Sequence, residues 1–163
     1  MAQLLNVTIQ VDVLSPTELT PAETLTWQQA RAATDNAYAP FSQFHVGAAL
    51  LLDDGSVFQG NNQENPAYPS GLCAERTAMF GLAVSQPQRR IVGMAVAARP
   101  KHGDFVVGMP CGACRQVMAD YETRQGQPIP LLLLGPDETI YRFRSLADLL
   151  PFQFTSENLP PRA

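Results

Sequence analysis

A chain of 163 residues has room for one domain of ordinary size, and one this long folds without disulfide staples. It is 45% hydrophobic and only 16% charged, against about 25% in an average protein, which excludes a disordered polyelectrolyte. Eleven Lys and Arg against fifteen Asp and Glu leave a net charge of −4, so a nucleic-acid backbone is not an expected partner.

Val7 to Val13 alternates apolar and polar residues, the pattern of a half-buried strand. Ser15, Pro16 and Pro21 mark a loop, and Thr20-Pro21 opens a helix predicted to run to about Tyr38, stopped by Pro40. The apolar run Val46–Leu52 and the run Ser56–Gly60 flank Asp53-Asp54-Gly55, a hairpin signal. Residues 61–72 read as loop, Cys73 to about Val84 as helix, Ile91–Ala98 as strand and residues 100–109 as loop. A helix follows from Cys111 to about Arg124. Then come a buried strand at Leu131–Leu134, a turn at Gly135–Glu138, a fifth central strand at Thr139–Phe143 and a short helix at Ser145–Leu150. A Pro-rich tail ends the chain.

This order predicts a single α/β domain, a three-layer α/β/α sandwich around a mixed five-stranded sheet. The connection between the last two strands is about four residues, and parallel pairing needs a crossover of about a dozen or more, so this pair is expected to be antiparallel.

Three cysteines are too few and too odd in number for a disulfide framework. No stretch approaches the roughly 20 apolar residues of a membrane span, and no Lys or Arg precedes Arg31 as a signal peptide would require. The expected setting is cytoplasmic and reducing, with no membrane partner, which leaves metal binding or thiol chemistry for the cysteines.

All three fall in two short motifs, Cys73-Ala74-Glu75 and Pro110-Cys111-Gly112-Ala113-Cys114, each opening a helix after a loop. Cys111 and Cys114 share one face of a first turn, where free amides and the positive helix end favour thiolate. With Cys73 they could supply three corners of a tetrahedron and leave the fourth to water, as in catalytic zinc sites. Glu75 could enter the same cavity without ligating, and there carry a proton between water and a substrate nitrogen. Arg76 and Arg115 follow Glu75 and Cys114, and guanidinium donation to the thiolates would offset their charge. Taken singly, these residues have plainer readings. Cys-x-x-Cys is as often a redox pair or part of a structural zinc site, Cys73 a small buried hydrophobe, and Glu75 a carboxylate at a helix start. Their joint placement weakens those readings.

The His-x-Glu with Pro-Cys-x-x-Cys pattern, in its three-cysteine variant, marks zinc deaminases of bases. Here Tyr38-Ala-Pro-Phe-Ser-Gln-Phe-His-Val-Gly-Ala-Ala49, Gly60-Asn-Asn-Gln-Glu-Asn65, Cys73-Ala-Glu-Arg-Thr-Ala78, Pro110-Cys-Gly-Ala-Cys-Arg-Gln-Val117 and Leu149-Leu-Pro-Phe-Gln-Phe-Thr-Ser-Glu157 resemble the free-nucleoside cytidine deaminases. Residues 1–21 lie outside the resemblance, as an N-terminal extension. The resemblance implies one Zn²⁺ per chain on Cys73, Cys111 and Cys114, with Glu75 as proton shuttle. It implies hydrolysis of cytidine or 2′-deoxycytidine to the uridine nucleoside and ammonia, by zinc-bound hydroxide attack, in pyrimidine salvage. Phe44 would pack on the pyrimidine, Asn62 and Glu64 would bind the ring edge and the ribose hydroxyl, and Ala74 would offer its N–H to the ring carbonyl. Tyr68 and Phe154 would reach a neighbouring subunit's site in a homotetramer. Two positions depart from the family pattern. Pro66 stands where an Ala N–H usually serves the 5′-hydroxyl, and Met109 stands where Ser usually precedes Pro-Cys.

A nucleotide or nucleic-acid deaminase of the same fold is opposed by the short turn at 135–138, by Cys73 as first ligand and by the net charge. A non-catalytic zinc protein is opposed by Glu75, which a structural site does not need.

Overall fold

The computed structural model describes residues 2–160, so Met1 of the expected extension lies outside it. Helix starts are encoded locally. Thr20 caps α1 (Pro21–Ala33): its hydroxyl accepts from the Glu23 amide at 3.2 Å, and Glu23 Oε2 accepts from the Thr20 amide at 2.9 Å. The helix ends at Ala33, earlier than its spacing predicts, and Thr34–Asn36 tighten into a 3₁₀ turn. The Thr34 hydroxyl bonds back to the Arg31 carbonyl at 2.7 Å and accepts from Arg99 Nε at 3.0 Å, which draws the chain toward the sheet. α2 (Ala74–Ser85) and α3 (Gly112–Gln125) start directly after Cys73 and Cys111, which are their N-caps. Gly126, at φ 67°, closes α3 in the left-handed conformation that glycine adopts without strain.

The strands are β1 (Val11–Leu14), β2 (Phe44–Leu52), β3 (Val57–Asn61), β4 (Ile91–Pro100), β5 (Leu131–Leu134) and β6 (Ile140–Phe143). They lie in the order β1-β6-β5-β4-β2-β3. β4 and β5 run parallel and the other neighbours antiparallel, β5–β6 included, as the short connection requires. The β5–β6 turn places Asp137 at φ 52° and Glu138 at φ 58°, with the Thr139 amide donating to Pro136 O at 3.0 Å. Two left-handed central residues make this a type I′ hairpin, whose twist suits the flanking strands.

The sheet has six strands where the sequence pattern predicts five. The alternating segment at 7–13 pairs only from Val11 onward, and it joins the sheet beside β6, with Val11 opposite Phe143 and Leu14 opposite Ile140. β6 is four residues long, so Val7–Gln10 run past its end without a partner strand. Beyond the backbone ladder, Arg142 ties β1 to α1, and Arg144 Nη2 adds a longer bond to Asp12 Oδ1 at 3.4 Å. Arg142 donates to Asp12 Oδ2 from Nε (3.1 Å) and Nη2 (3.0 Å), and to Glu23 Oε1 of α1 from Nη1 (3.1 Å).

Successive residues of the central strands serve opposite faces. Ala48, Leu50, Met94, Val96, Leu131 and Leu133 pack with Ala78 and Met79 of α2 and with Cys114 and Met118 of α3. Ala49, Ala95, Ala97 and Leu132 pack with Trp27 and Ala30 of α1 on the other face. Burial on both faces explains why β2 and β4 read as unbroken apolar runs. At Gly60 of β3 the α2 backbone lies directly on the sheet: a Cβ there would sit 2.7 Å from Ala78 Cα and 2.8 Å from Ala74 O. That close approach sets the position of the helix start bearing Cys73 and Glu75.

Candidate active site

The Sγ atoms of Cys73, Cys111 and Cys114 all lie within 4.8 Å of one another, with Cys73 and Cys111 3.9 Å apart. A disulfide needs about 2.05 Å, and all three cysteines are free. Thiolates on a tetrahedral zinc, about 2.3 Å from the ion, stand roughly 3.8 Å from each other, so the spacing suits that ion. Neither N-cap sulfur is committed to a capping hydrogen bond, which leaves both available as ligands.

The electrostatics favour anionic sulfur. A hydrogen bond from the Cys114 thiol and one from Arg76, whose Nη2 lies 3.7 Å from Cys73 Sγ, bring Cys73 down to about 5 against the opposing effect of burial. Cys114 moves up, because it holds the hydrogen that Cys73 accepts and because it is buried. Arg76 Nε is buried without a partner, a further donor turned away from solvent beside the sulfurs. Arg115 acts differently from the expectation of a thiolate donor. Its Nε donates to Pro110 O at 2.8 Å and its Nη1 to Leu149 O at 3.3 Å, so it braces the loop before Cys111 against the C-terminal segment.

Glu75 is 3% exposed. Burial, reinforced by the charge on Cys73, raises its carboxyl above the ordinary range.

Cys73, Cys111, Glu75 and Arg76 line a cavity of about 600 Å³ together with Phe44, Asn62, Glu64 and Tyr68. Asn62 and Glu64 also build the cavity wall. Asn62 Oδ1 accepts from the Val46 amide at 2.8 Å and its Nδ2 donates to Phe44 O at 2.9 Å. Glu64 Oε2 accepts from the Phe41 and Ser42 amides at 2.9 and 3.2 Å, and the Ser42 hydroxyl is the main cause holding its carboxyl below the ordinary value. Both side chains therefore fix the segment that presents Phe44. Gln43, at φ 54°, turns that segment sharply just before Phe44.

Ala74 is fully buried and stands outside the cavity lining. As the first residue of α2, its amide has no partner within the helix. Tyr68, expected to serve a neighbouring subunit, lines its own chain's cavity and packs edge-on against Phe41 at 6.1 Å between centroids. Phe154 is 59% exposed and does not line that cavity. Sequence reasoning overlooked Phe41, Ser42 and Leu72 as lining residues. The first two stand inside the Tyr38–Ala49 stretch that carries the resemblance, and that adjacency was the available signal.

Residues 22–126 match the family described as the cytidine and deoxycytidylate deaminase zinc-binding region. The chain belongs to the cytidine deaminase family. The cytidine deaminase of Halalkalibacterium halodurans is 42% identical over 132 residues, covering 81% of this chain and 93% of that one. That of Sporosarcina psychrophila is 43% identical over 133 residues, covering 80% and 90%. The crystal structure of cytidine deaminase from Burkholderia pseudomallei superposes with a TM-score of 0.66 at 41% identity, over 80% of this chain and 97% of that one. With that family's zinc-binding region spanning all three cysteines, the cluster is one suited to hold a zinc ion. Among the described residues, no helix is long and apolar enough to cross a membrane.

Proposed function

We propose that this chain is a cytoplasmic pyrimidine-salvage enzyme, a single deaminase domain with an N-terminal extension, that hydrolyses cytidine and 2′-deoxycytidine to the uridine nucleosides and ammonia. The observation that carries the reading is a buried, non-ligating carboxylate, Glu75, in one cavity with a three-sulfur cluster and an exposed-edge aromatic, Phe44. The two packed cores on opposite sheet faces support reading the fold as a three-layer α/β/α sandwich.

In this reading Cys73, Cys111 and Cys114 hold Zn²⁺, which supplies a Lewis acid that makes water a nucleophile near neutral pH. Glu75 would take one proton from the attacking water and deliver it to ring N3 as carbon 4 is attacked, then take the remaining hydroxyl proton from the carbon-4 adduct and pass it to the departing amine. One water is consumed and one ammonia released. Arg76 offsets the charge of the sulfurs, and Ala74 offers its unpaired amide to the ring carbonyl. Phe44 packs on the pyrimidine. Asn62 and Glu64 each retain acceptor capacity beyond the bonds that shape the wall, and the ionised Glu64 suits a ribose hydroxyl. Phe154, which faces solvent in its own chain, completes a neighbour's site in a homotetramer, and Tyr68, likewise exposed at the mouth of its own cavity, reaches a neighbour's site as well.

Ammonia release from cytidine, with and without a zinc chelator, tests the activity. Glu75→Gln tests the shuttle: it should keep one zinc per chain and the fold, and lose on the order of 10²–10⁴ in kcat. Wild-type turnover in that variant would reduce Glu75 to a helix-end charge.

A further inference from the structure

Three consecutive residues near the start of α3 have separate tasks. Cys114 belongs to the sulfur cluster, Arg115 ties the Pro110 and Leu149 carbonyls, and Gln116 grips the tail. Gln116 Nε2 donates to Phe154 O at 2.7 Å, and its Oε1 accepts from the Phe154 amide at 3.3 Å. A side-chain amide that takes both main-chain groups of one residue mimics a strand partner, and it fixes the backbone without touching the ring. Further along α3, Glu122 accepts from the Leu146 and Ala147 amides at 2.8 and 3.3 Å, so one helix holds the C-terminal segment at three points.

The tail beyond Leu150 has no regular pairing of its own before the 3₁₀ turn at Ser156–Asn158. Phe152 and Phe154 are 76% and 59% exposed, while Gln153 between them is half-buried. An exposed ring on an unpaired segment would sample many positions, and ordering it on binding would cost affinity. Here the backbone is already held, two residues along the helix from a metal ligand.

We infer that Gln116 is a positioning residue for substrate binding: it presets Phe154 of its own chain for the site of a second copy. This rests on the reading that Phe154 completes a neighbour's site. The same helix turn then sets the distance between a chain's own metal cluster and the aromatic ring it lends. Gln116 touches no substrate, so its loss should act on binding and leave the chemistry at saturation intact.

The test is a double-mutant cycle on the zinc-loaded oligomer, with kcat and KM for cytidine measured separately. Phe154→Ala should raise KM. Gln116→Ala should raise KM by roughly five- to 150-fold, and by no more than Phe154→Ala does, as the loss of two neutral hydrogen bonds on an ordered segment implies, with kcat changed less than about twofold. Gln116→Glu, which keeps size and acceptor but loses the donor to Phe154 O, should fall between wild type and Gln116→Ala; it also stands in if the alanine variant fails to fold. Gln116→Ala combined with Phe154→Ala should be no worse than Phe154→Ala alone. Zinc content and oligomer mass should stay at wild-type values in all four proteins. If Phe154→Ala leaves KM unchanged, the shared-site reading fails and takes the inference with it. If Phe154→Ala raises KM while neither Gln116 variant does, or if the two effects simply multiply, the role of Gln116 alone is overturned.

Discussion

Replacing Gly60 with alanine should damage the zinc site from the far side of a helix. The added Cβ would lie 2.7 Å from Ala78 Cα and 2.8 Å from Ala74 O, against the 3.4–4 Å of ordinary contact. All the obstructing atoms are backbone of α2, so no rotamer change relieves the clash. The Ala78 amide nitrogen lies closer still, so the helix must back away by about 1 Å, or β3 must bend, an overpacking that costs roughly 1–3 kcal/mol. At about 2–4 °C per kcal/mol for a protein of this size, Tm should fall by several degrees. The displaced element begins at Cys73 and Glu75, and misplacement by about 1 Å can cost 10²-fold in rate, so kcat/KM should drop on the order of 10- to 100-fold. Zinc content should fall as Cys73 leaves the other sulfurs. Gly93→Ala is the control, because its Cβ would meet only Leu51 at 3.6 and 3.7 Å, an ordinary contact. Differential scanning calorimetry, elemental zinc analysis and steady-state kinetics read the three effects. A Gly60→Ala protein with wild-type Tm, zinc and kcat/KM would refute the argument that this glycine seats α2.

Glu138 occupies the left-handed region at φ 58°, which costs a non-glycine residue roughly 1–2 kcal/mol, so Glu138→Gly should stabilise the fold by about 0.5–1 kcal/mol after its own entropy loss. Chemical denaturation measures this, and a destabilised variant would contradict the type I′ assignment. Hydrogen bonding from Arg142 holds the Asp12 carboxyl below its ordinary value; at Glu23, partial burial pushes upward but is outweighed by Thr20 and Arg142. Both folded-state values are depressed, so the stabilisation of β1 is complete above the ordinary carboxylate values of 3.8 and 4.5 and is lost as pH falls through the folded ones. Amide protection at Val11–Leu14 should therefore decline below about pH 4 in the wild type and be low at all pH in Arg142→Gln; equal acid profiles would count against the tie. Pro66 has no N–H, so 5′-deoxycytidine should lose no more than about tenfold in kcat/KM relative to cytidine, and a hundredfold loss would reveal another group holding that hydroxyl.

Features carried by neighbours in sequence were legible before folding. The Thr20-Pro21 helix start, the cysteines at both helix starts, the four-residue connection and hence the antiparallel β5–β6 pair all follow from short-range chemistry. So does the presence of Glu75 beside the cluster, since a two-residue offset from Cys73 at a helix start leaves few directions for the side chain. The place of the sixth strand in the sheet was not legible. Alternation over 7–13 marks a strand without saying where it pairs, and the pairing with β6 brings Asp12 to Arg142, 130 residues away. The hydrogen-bonding partners of Arg115 and Gln116 were equally hidden, because the C-terminal segment they hold meets α3 only after the chain has folded.

The sequence by itself determined the residue types of the sulfur cluster, the carboxylate beside it and the family, because helix-start motifs carry their chemistry in a few adjacent positions. Only the tertiary structure decided which strand closes the sheet, that Asn62 and Glu64 build the wall that presents Phe44, and that Phe154 is gripped by its backbone with its ring left outside. Those outcomes depend on hydrogen bonds between groups distant in sequence, and no local pattern specifies which distant partner a donor will meet.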